Sequence, residues 1–271
     1  MKEYGEQVQP MKIWTWTELK SQIISKNNTL LFSIVEISLT NFCNRSCSFC
    51  PVDVPDKITE INIVTILKIV EELNRLNFKG LICLSGYCEP TLHPYLNDII
   101  NIIRYELPEC ILSLHTNGDF ISRLKQYDVD YTVVSLYEEE RLEEFEKLDV
   151  IINKRYEEGN MILSNRAGAM PTEKILPLKE KCLYPFYMIY IDYNGDVLYC
   201  SHNFHKKNIL GNINNKSLFE MWNGNKINDI RDSLSQNNRN FSPCNMCDVN
   251  GSVMGENSYE TWKQSRIPKN N

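Results

Sequence analysis

Apolar and polar positions alternate along the chain in a way that predicts strands and helices in turn. Residues 34–39 are β-rich, and residues 81–84 form the continuous apolar run expected of a strand buried on both faces. Between them, residues 59–78 carry apolar side chains at helical spacing. The stripe of this helix consists of Ile63, Leu67, Val70, Leu73 and Leu76.

The same alternation continues to about residue 164. Strands are predicted at 111–115, 131–136 and 161–164, with an additional candidate at 150–153, and helices at 95–105, 120–127 and 138–148. Strand and helix in alternation predict an α/β fold with right-handed crossovers and a parallel sheet. Because the chain is too short for eight such units, we expect a partial TIM-like (β/α) barrel whose ligands sit at the carboxyl ends of the strands.

The regions outside this pattern suggest three parts. Residues 1–33 are expected to be an N-terminal extension, with a short amphipathic helix that starts at Thr15 or Thr17 and packs against the barrel. Residues 34–170 are the expected barrel. Residues 171–271 form a small second domain, in which residues 190–200 predict a β-hairpin around Asn194-Gly195 and residues 217–222 a helix.

Composition limits the classes of partner. The chain has 271 residues, of which 35 are acidic and 29 basic, and these charges are scattered rather than grouped. Nucleic-acid binding depends on basic patches, so we expect no nucleic-acid partner. The chain begins without a recognisable secretory signal and has no apolar run that could span a bilayer. We therefore predict a cytoplasmic protein with no membrane partner, whose ten cysteines serve metal binding rather than disulfides.

Three of these cysteines, Cys43, Cys47 and Cys50, lie in a single loop with C-x3-C-x2-C spacing. So short a loop can direct three thiols toward one site, and thiolates suit iron–sulfur clusters or zinc. A four-iron cluster requires four ligands, so three cysteines would leave one iron open for chemistry. The alternatives are a structural zinc loop and a chance grouping of cysteines.

Four further cysteines, Cys182, Cys200, Cys244 and Cys247, lie in the second domain. They are enough to saturate a second cluster, which could then only transfer electrons or hold the fold together. A zinc ion bound by four cysteines is the alternative. Cys83 and Cys110 lie in or beside predicted strands and are expected to be core residues.

The cysteine loop, with the aromatic Phe49 before its last cysteine, resembles the signature of the radical S-adenosylmethionine (SAM) superfamily. In that family the open iron binds SAM, and an electron from the cluster cleaves it to methionine and a 5′-deoxyadenosyl radical that abstracts hydrogen from the substrate. The resemblance implies a 4Fe-4S cluster and SAM as cofactors, with Phe49 near the adenine.

Other stretches extend this resemblance. Residues 85–90 resemble the family's glycine–glutamate–proline motif, which implies that Glu89 holds the amino group of SAM. The further SAM contacts that the resemblance implies are Gly86, Pro90, Thr116, Asn117 and Ser135. Cys88 departs from the motif, since many relatives have glycine there. Its thiol is either a small buried filler or a catalytic hydrogen-atom donor near the substrate.

Arg166 is the second catalytic candidate, because it follows an apolar predicted strand and must reach solvent or meet a polar ligand. A salt bridge at the barrel rim is the alternative. The second domain resembles the "twitch" domain, a shortened SPASM domain, which implies a second 4Fe-4S cluster held by the four cysteines named above. A flavodoxin- or ferredoxin-type protein is then the expected electron donor.

Together these features resemble the superfamily's aminocyclitol dehydrogenases of antibiotic biosynthesis. The resemblance implies oxidation of a secondary alcohol on a small aminocyclitol or carbohydrate-like molecule, with Arg166 at the substrate hydroxyl and the second cluster as electron acceptor. One alternative is a radical epimerase or peptide-modifying enzyme built on the same two-cluster core. Another is a non-catalytic metal-binding protein.

Overall fold

An eight-stranded sheet forms the centre of the computed structural model, which describes residues 31–156 and 164–266. The strands are β1 (Ile34–Ile37), β2 (Leu81–Leu84), β3 (Ile111–Thr116), β4 (Tyr131–Leu136), β5 (Ile151–Lys154), β6 (Met188–Ile191), β7 (Asp196–Leu198) and β8 (Gly211–Asn212). The α-helices of the described residues are α1 (Ile63–Arg75), α2 (Leu96–Glu106), α3 (Leu142–Glu146), α4 (Tyr184–Tyr187), α5 (Leu218–Asn223), α6 (Asn225–Ser235) and α7 (Glu256–Ser265).

The strands lie in the order β5-β4-β3-β2-β1-β6-β7-β8. Every pair from β5 to β6 is parallel, and β6, β7 and β8 are antiparallel to one another. This arrangement confirms the predicted α/β class with a parallel sheet followed by a small C-terminal region. The predicted hairpin is also confirmed, since Ile191 of β6 pairs with Val197 of β7.

The strand β6 was not expected in the parallel sheet. It comes from the C-terminal part of the chain, yet it pairs with β1 from Ile34↔Met188 to Ile37↔Ile191. All four residues of β6 are buried, as are those of β2. The sheet therefore continues across the predicted domain boundary at residue 170, which itself stays a prediction.

The predicted apolar stripe of the first helix is wrong in part. Ile63 and Leu67 are exposed, whereas Ile66 and Ile69 are fully buried against the sheet. Helical spacing allowed two overlapping stripes, and packing selects the one that contains Val70 and Leu73.

Several other predictions have clear outcomes. The candidate strand at 150–153 is β5, and Cys83 and Cys110 are core residues. The segment 138–148 is a 3-10 turn (Glu139–Arg141) followed by the short α3, rather than one helix. The predicted N-terminal helix and residues 161–163 of the last predicted strand lie outside the described residues.

The carboxyl ends of the parallel strands carry the sequence motifs. The cysteine loop follows β1, the stretch 85–90 follows β2, and Thr116 ends β3. No helix among residues 31–156 and 164–266 has the length and apolar character needed to cross a membrane.

Candidate active site between two sets of cysteines

A cavity of about 260 Å³ opens at the carboxyl ends of β1 to β4. It brings together residues predicted from five separate stretches of sequence. The predicted site residues that line it are Cys43, Cys47, Phe49, Cys50, Gly86, Cys88, Glu89, Thr116, Asn117, Ser135 and Arg166. Pro90 does not line the cavity but lies buried at the start of the 3-10 turn after Glu89.

Glu89 connects the ends of two strands. Its Oε1 accepts hydrogen bonds from the Thr91 amide (3.1 Å), the Thr91 hydroxyl (2.5 Å) and the Thr116 hydroxyl (2.7 Å). Its Oε2 accepts one from the Asn117 amide (2.7 Å), which leaves capacity for a further donor. Burial raises the pKa of this carboxyl, and the hydrogen bonds oppose that effect.

The cysteine loop is anchored by Arg45. Its guanidinium pairs with Asp119 (2.5 Å) and Glu138 (2.7 Å) and lies 4.8 Å from the centre of the Tyr137 ring. These contacts attach the loop to the segments that follow β3 and β4. Asn117 adds a weak contact, with its Nδ2 3.8 Å from Cys43 Sγ.

Two aromatic rings form a flat wall beside the cysteines. Phe49 and Tyr137 stack at 5.8 Å between ring centres with an interplanar angle of 20°. Both rings line the cavity, so a planar base has a stacking surface here.

Polar side chains surround Arg166 on the other side of the cavity. Glu36 of β1 is half-buried and accepts a 2.6 Å hydrogen bond from the Ser85 hydroxyl. Burial raises its pKa, while hydrogen bonds from Ser85 and Ser201 and the charge of Arg166 lower it. The Arg166 guanidinium lies 5.7 Å from the Tyr87 ring centre, and its Nε has no hydrogen-bond partner among the described residues.

The backbone around Arg166 is unusual. Arg166 and Ala167 have φ values of 51° and 53°, a left-handed conformation that L-residues other than glycine rarely adopt. Asn165 fixes this turn. Its amide donates to Asp248 Oδ1 (2.8 Å), its Oδ1 accepts from the Asp248 amide (3.2 Å), and its Nδ2 donates to the Met246 carbonyl (2.7 Å).

The second set of cysteines lines a smaller cavity of about 20 Å³. Cys182, Cys200, Cys244 and Cys247 all face it, together with Tyr199 and His202. Burial raises the pKa of Cys244 to about 12 and that of Cys247 to about 11. Thiols in this environment ionise when they bind metal, because the metal replaces the proton.

Both sets of cysteines fit iron–sulfur clusters by the chemistry of their donors. Each set is made of thiols alone, and all ten cysteines are free of disulfides. Within the described ranges, no three side chains of His, Cys, Asp or Glu lie close enough to bind one metal ion together. A four-iron cluster has its ligands further apart, because each cysteine binds a different iron.

The two cavities are separated by very little protein. Ser201 lines the first cavity, and its neighbours Cys200 and His202 line the second. His202 Nδ1 lies 2.8 Å from the Ser164 hydroxyl and 3.4 Å from Arg166 Nη1, and its Nε2 lies 3.0 Å from the Tyr184 hydroxyl. Burial lowers the pKa of His202 to about 3, so the ring is neutral.

Sequence reasoning missed several residues of the first cavity, namely Glu36, Arg45, Ser85, Tyr87, Tyr137, Arg155 and Ser201. Glu36 could have been found, since it is the acidic residue of an otherwise apolar strand. Cys88 was found, but its thiol donates to the Ser85 carbonyl (3.5 Å) and burial raises its pKa to about 11.

Comparisons with known proteins match both halves of the chain. The family model of the radical SAM superfamily matches residues 37–156. The model of SPASM, an iron-sulfur cluster-binding domain, matches residues 182–248 and therefore contains all four cysteines of the second set.

Individual relatives agree with these matches. The S-adenosyl-L-methionine-dependent 2-deoxy-scyllo-inosamine dehydrogenase of Niallia circulans is 26% identical over 253 residues, which cover 85% of this chain and 98% of that protein. The crystal structure of BtrN in complex with AdoMet and 2-DOIA superposes with a TM-score of 0.70 at 25% identity, over 81% of this chain and 94% of that one. Streptococcus suis SuiB bound to the precursor peptide SuiA has a TM-score of 0.58 at 14% identity, over 76% and 69%, a likeness of fold alone.

Proposed function

The chain belongs to the radical SAM superfamily and carries a C-terminal SPASM domain, and on this premise we propose that it oxidises a secondary alcohol of a small aminocyclitol or carbohydrate-like substrate to a ketone. The observation that carries the proposal is the position of Arg166. It faces the cavity lined by the cysteine loop and also contacts His202, which lines the cavity of the second cysteine set. The relative from Niallia circulans is a dehydrogenase of an aminocyclitol.

The cofactors are SAM, a 4Fe-4S cluster and an auxiliary cluster. When bound, they supply a radical that removes hydrogen from the carbinol carbon and an acceptor for the second electron. We assign the first cluster to Cys43, Cys47 and Cys50. We assign the auxiliary cluster, which we take to be of 4Fe-4S type, to Cys182, Cys200, Cys244 and Cys247.

Different residues around the first cluster are suited to bind different parts of SAM. The free capacity of Glu89 Oε2 suits an ammonium group, because a carboxylate pairs well with a charged donor. The Phe49–Tyr137 wall suits the adenine. Gly86, Thr116, Asn117 and Ser135 line the space between these two sites, and Pro90 fixes the turn that follows Glu89.

Arg166 and Glu36 are assigned to the substrate. Arginine keeps its proton at neutral pH, so Arg166 orients the hydroxyl and stabilises negative charge that develops on its oxygen. Its unpartnered Nε is available for this contact. Glu36 lines the same cavity, and its carboxyl group suits the ammonium group of an aminocyclitol.

The second oxidation step needs a short route for one electron and one proton. Ser201 lines the first cavity and the adjacent Cys200 lines the second, so one short segment contributes to both cavities. A flavodoxin- or ferredoxin-type donor, which delivers the first electron, remains a prediction from the family resemblance.

The proposal is tested with anaerobically purified protein, SAM, a reductant and aminocyclitols that carry deuterium at the carbinol carbon. We expect a product lighter than the unlabelled substrate by two hydrogens, together with deuterated 5′-deoxyadenosine. A product of unchanged hydrogen count in which solvent hydrogen replaces the deuterium of the carbinol carbon would instead show an epimerase. Absence of deoxyadenosine with every substrate would contradict the proposed function.

Replacement of Arg166 tests its assignment. We expect Arg166→Gln to lower the rate of ketone formation about 10²–10³-fold, as for loss of one oxyanion donor, and Arg166→Lys to lower it less. SAM cleavage without substrate should be unchanged. Arg75→Gln, at an exposed arginine of α1, is the matched control and should leave the rate of ketone formation unchanged.

A second candidate function rests on Cys88. Its thiol lines the cavity, and an epimerase needs a hydrogen donor on the face opposite the radical. The dehydrogenase is favoured because the Cys88 thiol already donates to the Ser85 carbonyl.

A further inference from the structure

Arg239 is a buried cation beside the four cysteines of the second set. Its side chain is 1% exposed, and it lines the same cavity as these cysteines. The guanidinium donates three hydrogen bonds of 2.9 Å each, from Nε to the Glu180 carbonyl, from Nη2 to the Lys181 carbonyl and from Nη1 to the Val249 carbonyl.

These carbonyls belong to the segments that carry the cysteines. Glu180 and Lys181 directly precede Cys182, and Val249 is two residues beyond Cys247. The Arg239 guanidinium thus connects the segment before Cys182 with the segment after Cys247. These hydrogen bonds hold its positive charge at the cavity that the cysteines line. A planar guanidinium holds such a three-point geometry better than a lysine ammonium.

The charge of Arg239 is not balanced by a carboxylate. Within residues 31–156 and 164–266 it forms no ion pair, and its three acceptors are neutral carbonyls. A buried cation without a counter-charge is unfavourable. A cluster held by four thiolates is an anion, and reduction adds one further negative charge. Because Arg239 lines the cavity of the four cysteines, an anionic cluster held there would supply this counter-charge.

We propose that Arg239 is the counter-charge of the auxiliary cluster and raises its reduction potential, so that it can accept the second electron of substrate oxidation. The proposal rests on the proposed function for the source of that electron. A fixed cation stabilises the more negative, reduced cluster more than the oxidised one, and a buried site screens this effect little.

Arg231 provides a matched control within the same region. It is also 1% exposed and donates to backbone carbonyls, those of Pro185 (2.9 Å) and Trp222 (2.8 Å). Its guanidinium packs 4.1 Å from the Trp222 ring centre and does not line the cysteine cavity. Replacement of Arg231 removes a buried arginine without removing the charge beside the cysteines.

The test is an EPR-monitored redox titration of the full-length holoenzyme without substrate. Protein lacking Cys43, Cys47 and Cys50 identifies the auxiliary signal. In Arg239→Gln we expect the midpoint potential to fall by an amount equivalent to at least a tenfold change in the equilibrium for accepting one electron, about 59 mV. Arg231→Gln should shift it by less than that.

An unchanged potential in Arg239→Gln, or an equal shift in both variants, would overturn the proposal. If Arg239→Gln fails to fold, Arg239→Lys decides, because it keeps the positive charge at this position. We then expect a fall of less than about 59 mV, and a larger fall would overturn the proposal. Because no substrate is present, failure to oxidise any aminocyclitol would refute the proposed function and leave this result standing.

Discussion

Glu36 illustrates how single residues acquire a role from the fold. In the sequence it is a polar position within a β-rich segment, and in the structure it faces Arg166 across the cavity. The cysteines could be predicted because their spacing along the chain is itself the signal. Tyr137 and Ser201 could not, because they meet Glu36 only when β1, β4 and the loop after β7 come together.

Replacement of Glu36 should change how stability depends on pH. Burial raises its pKa above the usual value of 4.5, so the neutral carboxyl is favoured in the folded protein. The stability it contributes is present below that usual value and is lost as pH rises through the raised pKa. Glu36→Gln should lack this loss. The measurement is the thermal midpoint of wild type and variant between about pH 5 and pH 8.

Glu220 is a control, because its contribution to stability depends on pH in the opposite direction. Hydrogen bonds from Ser217 lower its pKa, so its contribution is present above the usual pKa and is lost as pH falls through the lowered one. If the thermal midpoints of Glu36→Gln and wild type depend on pH in the same way, the raised pKa of Glu36 is contradicted.

Replacement of Cys88 separates the two functions considered. In a dehydrogenase, Cys88→Ala should leave the rate of ketone formation nearly unchanged and cost about 1 kcal/mol in the free energy of unfolding, from the lost contact with the Ser85 carbonyl. The measurements are product formation by mass spectrometry and chemical denaturation. If deoxyadenosine still forms but product formation stops, the thiol takes part in catalysis.

At the scale of elements, the turn Arg166–Gly168 has a strained backbone that contacts with the C-terminal region stabilise. Two consecutive non-glycine residues in the left-handed region cost about 1–2 kcal/mol each. The reciprocal bonds between Asn165 and Asp248 hold the turn, and Asp248 follows the last cysteine of the second set. The conformation that aims Arg166 therefore depends on the C-terminal region.

Removal of the Asn165 side chain should release this turn. We expect Asn165→Ala to lower the free energy of unfolding by about 1–3 kcal/mol, because it removes the hydrogen-bond partners of the buried Asp248 amide and of the Met246 carbonyl. Ketone formation should fall while SAM cleavage without substrate persists. Asn74→Ala, at an exposed asparagine of α1, is the control for the loss of an amide. Equal loss of both activities in Asn165→Ala would argue against a specific effect on Arg166.

Helices, strands and turns could be predicted from the sequence where one local interaction determines the structure. The hairpin around Gly195 was predicted because its turn requires a positive φ, observed at 82°. The buried face of α1 was misassigned because apolar residues lie on both sides of that helix, and only contact with the sheet selects between them. The place of β6 beside β1 could not be predicted, since no local pattern records which distant strand becomes a neighbour.

For the whole molecule, the two sets of cysteines should be separable by iron content. We expect about eight irons per chain from two four-iron clusters. Replacement of Cys43, Cys47 and Cys50 by alanine should remove half of the iron and all SAM cleavage. Replacement of Cys182 and Cys200 should spare cleavage and abolish net oxidation. The measurements are iron and sulfide analysis with deoxyadenosine assays, and zinc in either set would contradict this division.

The pairing of β6 with β1 joins the C-terminal region, which carries the second set of cysteines, to the sheet that carries the cysteine loop. A chain cut after residue 170 would expose one edge of β1, whose unpaired backbone N–H and C=O groups invite association with other chains. The C-terminal region therefore cannot be exchanged without disturbing the sheet. A change of substrate has to come from changes in the loops, while the pairing of β1 with β6 is kept.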